Sequence, residues 1–127
     1  MRTIIRGEIE KYVLFFKAYL DYQGNLVLDE NGEFSITIDT GFSGGIALPI
    51  EMLDKMKIDQ IDYDTFKLAT GEIIELPVFI GKAVVKKLVV ETWFIPGDFL
   101  LGMEFLSSLG KILSMDYDDK TVKLEDD

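Results

Sequence analysis

Phe34-Ser35-Ile36-Thr37-Ile38-Asp39-Thr40-Gly41-Phe42-Ser43-Gly44-Gly45 decides how this 127-residue chain is read. Phe34, Ile36 and Ile38 fall on one face of an extended segment, and Ser35, Thr37 and Asp39 on the other. The strand runs straight into Asp39-Thr40-Gly41 and a glycine-rich turn. An acid that ends a buried strand, with Gly two residues later, is a carboxylate held on a tight loop. Gly41 removes a side chain where another backbone or a substrate must come close. On the tripeptide alone an ordinary Asp-x-Gly turn is the better reading, so the rest of the chain has to decide.

Composition narrows the chemistry. The chain is 48% hydrophobic and 12% aromatic, which is globular, and its length suits one domain spanning residues 1–127. With 13 basic and 23 acidic residues the net charge is −10, so a nucleic-acid partner would be repelled. Neither cysteine nor histidine occurs. That removes disulfides, thiolate chemistry, Ser-His-Asp and Cys-His mechanisms, and imidazole-ligated zinc. Acid–base work falls to carboxylate, Lys or Tyr; no metal ligand set and no cofactor is expected. Asp29 to Glu33 and Asp116 to Asp119 look like calcium loops but put Phe34 and Thr121 where Gly is required, so both read as turns. Val13-Leu14-Phe15-Phe16 is too short for a signal core or a membrane span, so a soluble cytoplasmic protein is the expectation.

The chain on either side of the loop is a series of short strands. Arg2 to Glu10 and Lys11 to Asp21 read as strands, followed by a turn at Gln23-Gly24-Asn25 and a strand over Leu26-Val27-Leu28. Asn31-Gly32 signals a hairpin with positive φ at both central positions, returning along Glu33 to Ile38. Pro49 fits the first turn of a helix through Lys57 with Leu53 and Met56 inward. Strands are expected over Thr65 to Ala69 and from Ile73, with turns at Thr70-Gly71 and Gly81-Lys82, and Pro77 marks an edge or a break. Lys86 to Ile95 is a strand on which Trp93 and Phe94 are core or site lining, with core favoured. Phe99 to Leu101 is a buried run, Met103 to Leu109 a helix stopped by Gly110, and Lys111 to Met115 with Thr121 to Leu124 a closing hairpin. Asp54, Asp59, Asp62 and Asp64 read as an exposed acidic face around a helix end and loop. The sum is an all-β fold with one or two short helices, a barrel or sandwich.

Three segments in this order resemble the retropepsin-like aspartic proteases. The first is Asp39-Thr40-Gly41 with Phe42 and Ser43 after it. The second is Leu68-Ala69-Thr70-Gly71-Glu72-Ile73-Ile74, with Gly71 lying 32 residues after Asp39. The third is Leu100-Leu101-Gly102, with Gly102 lying 63 residues after Asp39. Alone, the second is an ordinary hairpin and the third a buried strand before a helix; together they cover the chain from about Lys11 to Leu124. The resemblance implies a closed β-barrel of the acid-protease type. It implies that Asp39 is catalytic, that Thr70, Gly71, Glu72, Ile73 and Ile74 form a substrate-covering flap, and that Leu100, Leu101 and Gly102 support the Asp39 loop.

A single Asp-Thr-Gly then implies a homodimer, in which Asp39 of each copy meets at a two-fold axis and acts on a peptide or protein substrate, and Thr40 hydrogen-bonds across to its counterpart. The sequence departs from the family in several places: Gly44 and Gly45 loosen the turn after the acid, and the portion before Lys11 matches nothing in the family. Met103 stands where viral members carry Arg, and Phe42 is larger than the usual Ala, which narrows the floor of the site. Two other readings stay open: a catalytically silent dimer that binds peptides or proteins, and an unrelated β-barrel ligand binder.

Overall fold

The computed structural model describes residues 1–127. Eleven strands and two short helices follow one another as β1 (Arg2–Glu10), β2 (Val13–Leu20), β3 (Leu26–Leu28), β4 (Phe34–Ile38), β5 (Ile46–Leu48), α1 (Ile50–Leu53), β6 (Asp59–Lys67), β7 (Ile73–Val85), β8 (Leu88–Pro96), β9 (Leu100–Leu101), α2 (Met103–Leu109), β10 (Ile112–Asp116) and β11 (Thr121–Asp126). Seven of the strands close a ring in the order β2-β3-β7-β8-β5-β9-β4 and back to β2. Of the all-β barrel or sandwich expected from the strand pattern, the barrel is the fold. β1, β11 and β10 extend the sheet outward from β2, and β6 pairs only with β7.

The ring closes around large apolar side chains. Phe16, Ile36, Ile46, Leu48, Phe94, Leu101 and Phe105 are among the buried residues of one continuous core. They come from the inward positions of alternating strands and from the apolar face of α2. Phe34 and Phe99 pack ring to ring at 5.3 Å, tying β4 to the segment before β9.

Several local expectations give way to long-range contacts. Asn31-Gly32 does not turn a hairpin: neither residue has positive φ, and β3 and β4 both pair with β2 rather than with each other. The loop is instead an Asx turn, with the Asn31 N–H donating to Asp29 Oδ1 at 2.8 Å. Gly32 is needed because any Cβ there would strike the Ala18 backbone. The first tight turn lies at Lys11-Tyr12, where both residues have positive φ, so the second strand begins at Val13 rather than Lys11.

Gly81-Lys82 is not a turn either. β7 runs unbroken from Ile73 to Val85, and Gly81 is small because Ile58 packs where its Cβ would be. Pro77 lies in the part of β7 that pairs with β6 alone, an edge position that tolerates a missing N–H. The helix after Pro49 stops at Leu53 and continues only as turns closed by Lys55 N–H to Met52 O and Met56 N–H to Leu53 O, although Leu53 and Met56 are buried as expected. Asp59, Asp62 and Asp64 are exposed as expected, but on the strand β6, which starts six residues before the Thr65 expected for it.

Candidate functional site

The Asp39 loop joins β4 to β5, and β9 lies between these two strands. β9 pairs parallel with β4 (Thr37 with Leu100, Ile38 with Leu101) and antiparallel with β5 (Ile46 with Leu101). A strand wedged between the two legs of a loop fixes that loop from below. The Asp39 N–H donates to Leu101 O at 3.0 Å, Gly102 N–H to Gly45 O at 2.7 Å, and Met103 N–H to Phe42 O at 2.8 Å. Such closeness requires glycine, since a Cβ on Gly102 would land on the Gly44 carbonyl. Leu100, Leu101 and Gly102 thus sit directly against the loop.

Asp39 itself is half-buried. Its carboxylate accepts the Gly41 N–H at 3.0 Å, and its carbonyl accepts the Phe42 N–H at 3.1 Å. The loop therefore curls back on its own acid, leaving the second carboxylate oxygen without a protein donor among the hydrogen bonds formed. Thr40, Gly41 and Ser43 are exposed and Phe42 is half-buried. The two sides of the loop face different surroundings. Gly41 to Ile46 line a cleft of about 460 Å³ together with Asp64 to Lys67 of β6, Trp93, Ile95 and Glu104. Thr40 lines a smaller groove of about 220 Å³ with Met103, Leu106, Leu113 and Leu124.

Thr70, Gly71, Glu72, Ile73 and Ile74 form the tip of the β6–β7 arm and the start of β7. The Leu68 N–H donates to Glu72 O at 2.8 Å and the Gly71 N–H to Leu68 O at 2.9 Å, and Gly71 has φ +89°. This is a three-residue hairpin loop in which a positive-φ Gly closes the turn. A Cβ at Gly71 would meet nothing, and Ile73 is 68% exposed, so the tip projects without buried anchors. None of Thr70 to Ile74 lines the cleft; the arm reaches it through Asp64 to Lys67.

Phe66 and Glu104, which the sequence did not single out, join the loop residues, as does Trp93, for which site lining was the less favoured of two readings. Trp93 is 46% exposed while Phe94 beside it is fully buried, so the core reading holds for Phe94 and not for Trp93. The signal was present: Trp93 shares its strand face with Val89 and Glu91, and a face carrying Glu is a wet one. A more voluminous cavity, about 570 Å³, lies at the base of the arm among Lys57, Asp59, Lys82 and Glu91 and includes none of the Asp39 loop. No three acidic residues cluster to hold a metal ion, and no helix is long and apolar enough to cross a membrane.

Comparison with protein-family models, with curated proteins and with solved structures finds no match to this chain. Its class is therefore defined by fold and geometry: a closed all-β barrel with one acid loop braced by an inserted strand.

Proposed function

We propose that this protein is an aspartic endopeptidase of the retropepsin-like kind that works as a homodimer, with a cytoplasmic location as part of the same reading. The observation that carries it is the Asp39 loop. An Asp-Thr-Gly carboxylate is held by its own Gly41 N–H, over a Leu100-Leu101-Gly102 segment inserted between the strands on either side.

Peptide hydrolysis by carboxylates needs two of them facing a shared water, and one chain carries a single such loop. Two-fold association supplies the second Asp39. Two carboxylates that close repel each other when both are charged, so the pair is arranged around one shared proton. The ionised Asp39 takes a proton from the water as its oxygen attacks the peptide carbonyl carbon. The protonated Asp39 of the other copy donates a hydrogen bond to the carbonyl oxygen. The C–N bond then breaks as the dyad passes the proton taken from the water to the leaving amine nitrogen, and the water oxygen stays on the acyl carbon as part of the new carboxyl group. Thr40 braces the paired loops by hydrogen bonding across the axis. The Thr70–Ile74 tip closes over the bound strand, a task suited to a hairpin with few buried contacts.

The test is cleavage of an unfolded protein substrate from acidic to neutral pH by wild type and by Asp39→Asn. The expected result is cleavage by wild type that falls at least about a hundredfold in the variant. Equal cleavage by both proteins would refute the role of Asp39. A confirmed dimer that cleaves nothing would leave a binding scaffold instead.

A further inference from the structure

We propose that the cleft beside the Asp39 loop is a seat for an aromatic or bulky apolar peptide side chain with a Lys or Arg two positions along, and that Trp93 sets this preference. The inference rests on the peptide-binding role proposed for the site and names the substrate class.

Three aromatic rings, Phe42, Phe66 and Trp93, line this one cleft. None is paired with another ring: the ring pairs of the protein are Tyr12 with Tyr117 and Phe34 with Phe99. Trp93 is 46% exposed here, so much of the largest side chain type in the protein stays in water until something covers it. The glycines of the loop keep the floor open to this use. A Cβ on Gly44 would lie 2.8 and 2.9 Å from Cε1 and Cζ of Phe42, so only glycine lets the Phe42 ring lie flat along the turn. The cleft volume of about 460 Å³ falls within the range of small-ligand sites, about 300–1,000 Å³.

The charge around the rings gives the second half of the preference. Asp64 and Glu104 line the cleft against a single cation, Lys67. The ion pairs of the chain are Arg2 with Asp126 and Lys111 with Asp127, so neither cleft acid is neutralised by one. A locally negative rim on a chain of net charge −10 attracts a basic side chain. A peptide lying extended places residues two apart on the same side, so the base belongs two positions from the aromatic residue. A cation there also meets the face of an indole favourably.

Trp93 is the one tryptophan of the chain, so its fluorescence reports occupancy of this cleft without any need for cleavage. The full-length Asp39→Asn protein would be titrated with a tryptophan-free octapeptide carrying Phe and, two positions on, Lys. Two control peptides would replace the Phe with Ala or the Lys with Glu. The expected result is a saturable emission change with the first peptide and at least about tenfold weaker binding of the Ala peptide. The Glu peptide should also bind more weakly, by a margin that shrinks in high salt. In wild-type cleavage assays Trp93→Ala should raise KM for the Phe peptide with little change in kcat, and Trp93→Phe should restore most of it. Binding with these preferences but no cleavage by wild type would sink the endopeptidase reading and keep the seat. Cleavage with equal affinity for all three peptides, or with no response from Trp93, would overturn the seat and keep the endopeptidase. Neither binding nor cleavage would overturn both.

Discussion

Replacing Gly102 with Ala tests the bracing of the acid loop by the inserted strand. The added Cβ would land on the Gly44 carbonyl oxygen, 2.7 Å from the Gly44 carbonyl carbon and 2.9 Å from Gly45 O. These are backbone atoms and cannot swing aside as a side chain would. Relief requires the loop and β9 to separate, which loosens the bonds Gly102 N–H to Gly45 O, Met103 N–H to Phe42 O and Glu104 N–H to Gly44 O. Overpacking costs about 1–3 kcal/mol and the partial weakening of the three hydrogen bonds together about 2 kcal/mol, so a loss of about 3–5 kcal/mol is expected.

That is a large share of the roughly 5–15 kcal/mol that holds a domain folded, and it corresponds to a fall in Tm of about 10–20 °C. Thermal melting followed by circular dichroism measures it. Gly71→Ala is the contrast: nothing surrounds that position, and only its φ of +89° resists a side chain, so the cost there is about 1–2 kcal/mol. A Gly102→Ala protein melting within about 3 °C of wild type would refute the argument that close backbone approach is what requires this glycine.

Other consequences are open to measurement. The Asp21 carboxylate is held below its ordinary value of 3.8, first by the Asn25 backbone N–H and, against an opposing effect of burial, by the Asn25 side chain and the Gln23 N–H. Because the folded pKa is the lower one, the stability it brings is present above 3.8 and disappears as pH falls through the folded value. Asp21→Ala should therefore lower Tm at neutral pH by an amount that shrinks as pH falls below 3.8, and a gap that does not change with pH would count against this. Two copies of a chain of net charge −10 repel each other, so the proposed dimer should be weaker at neutral pH and low salt than at mildly acidic pH. Sedimentation equilibrium giving the same affinity under both conditions would contradict that.

The sequence by itself determined the class of fold, the acid loop and the glycines that brace it. Alternation in Phe34 to Ile38, punctuation by Gly and Pro, and the apolar run ending at Gly102 are local signals, and a strand's buried face leaves its mark within a few residues. What a strand pairs with leaves no such mark. Only the tertiary structure sends β3 and β4 to opposite edges of β2, carries β7 through Gly81 because Ile58 fills the space, and extends β6 back to Asp59 along an edge where both faces are wet. It also turns Trp93 outward into the cleft while Phe94 enters the core. Glycine in a strand reads the same whether it marks a turn or makes room for a neighbour, and the neighbour at Gly81 comes from more than 20 residues away.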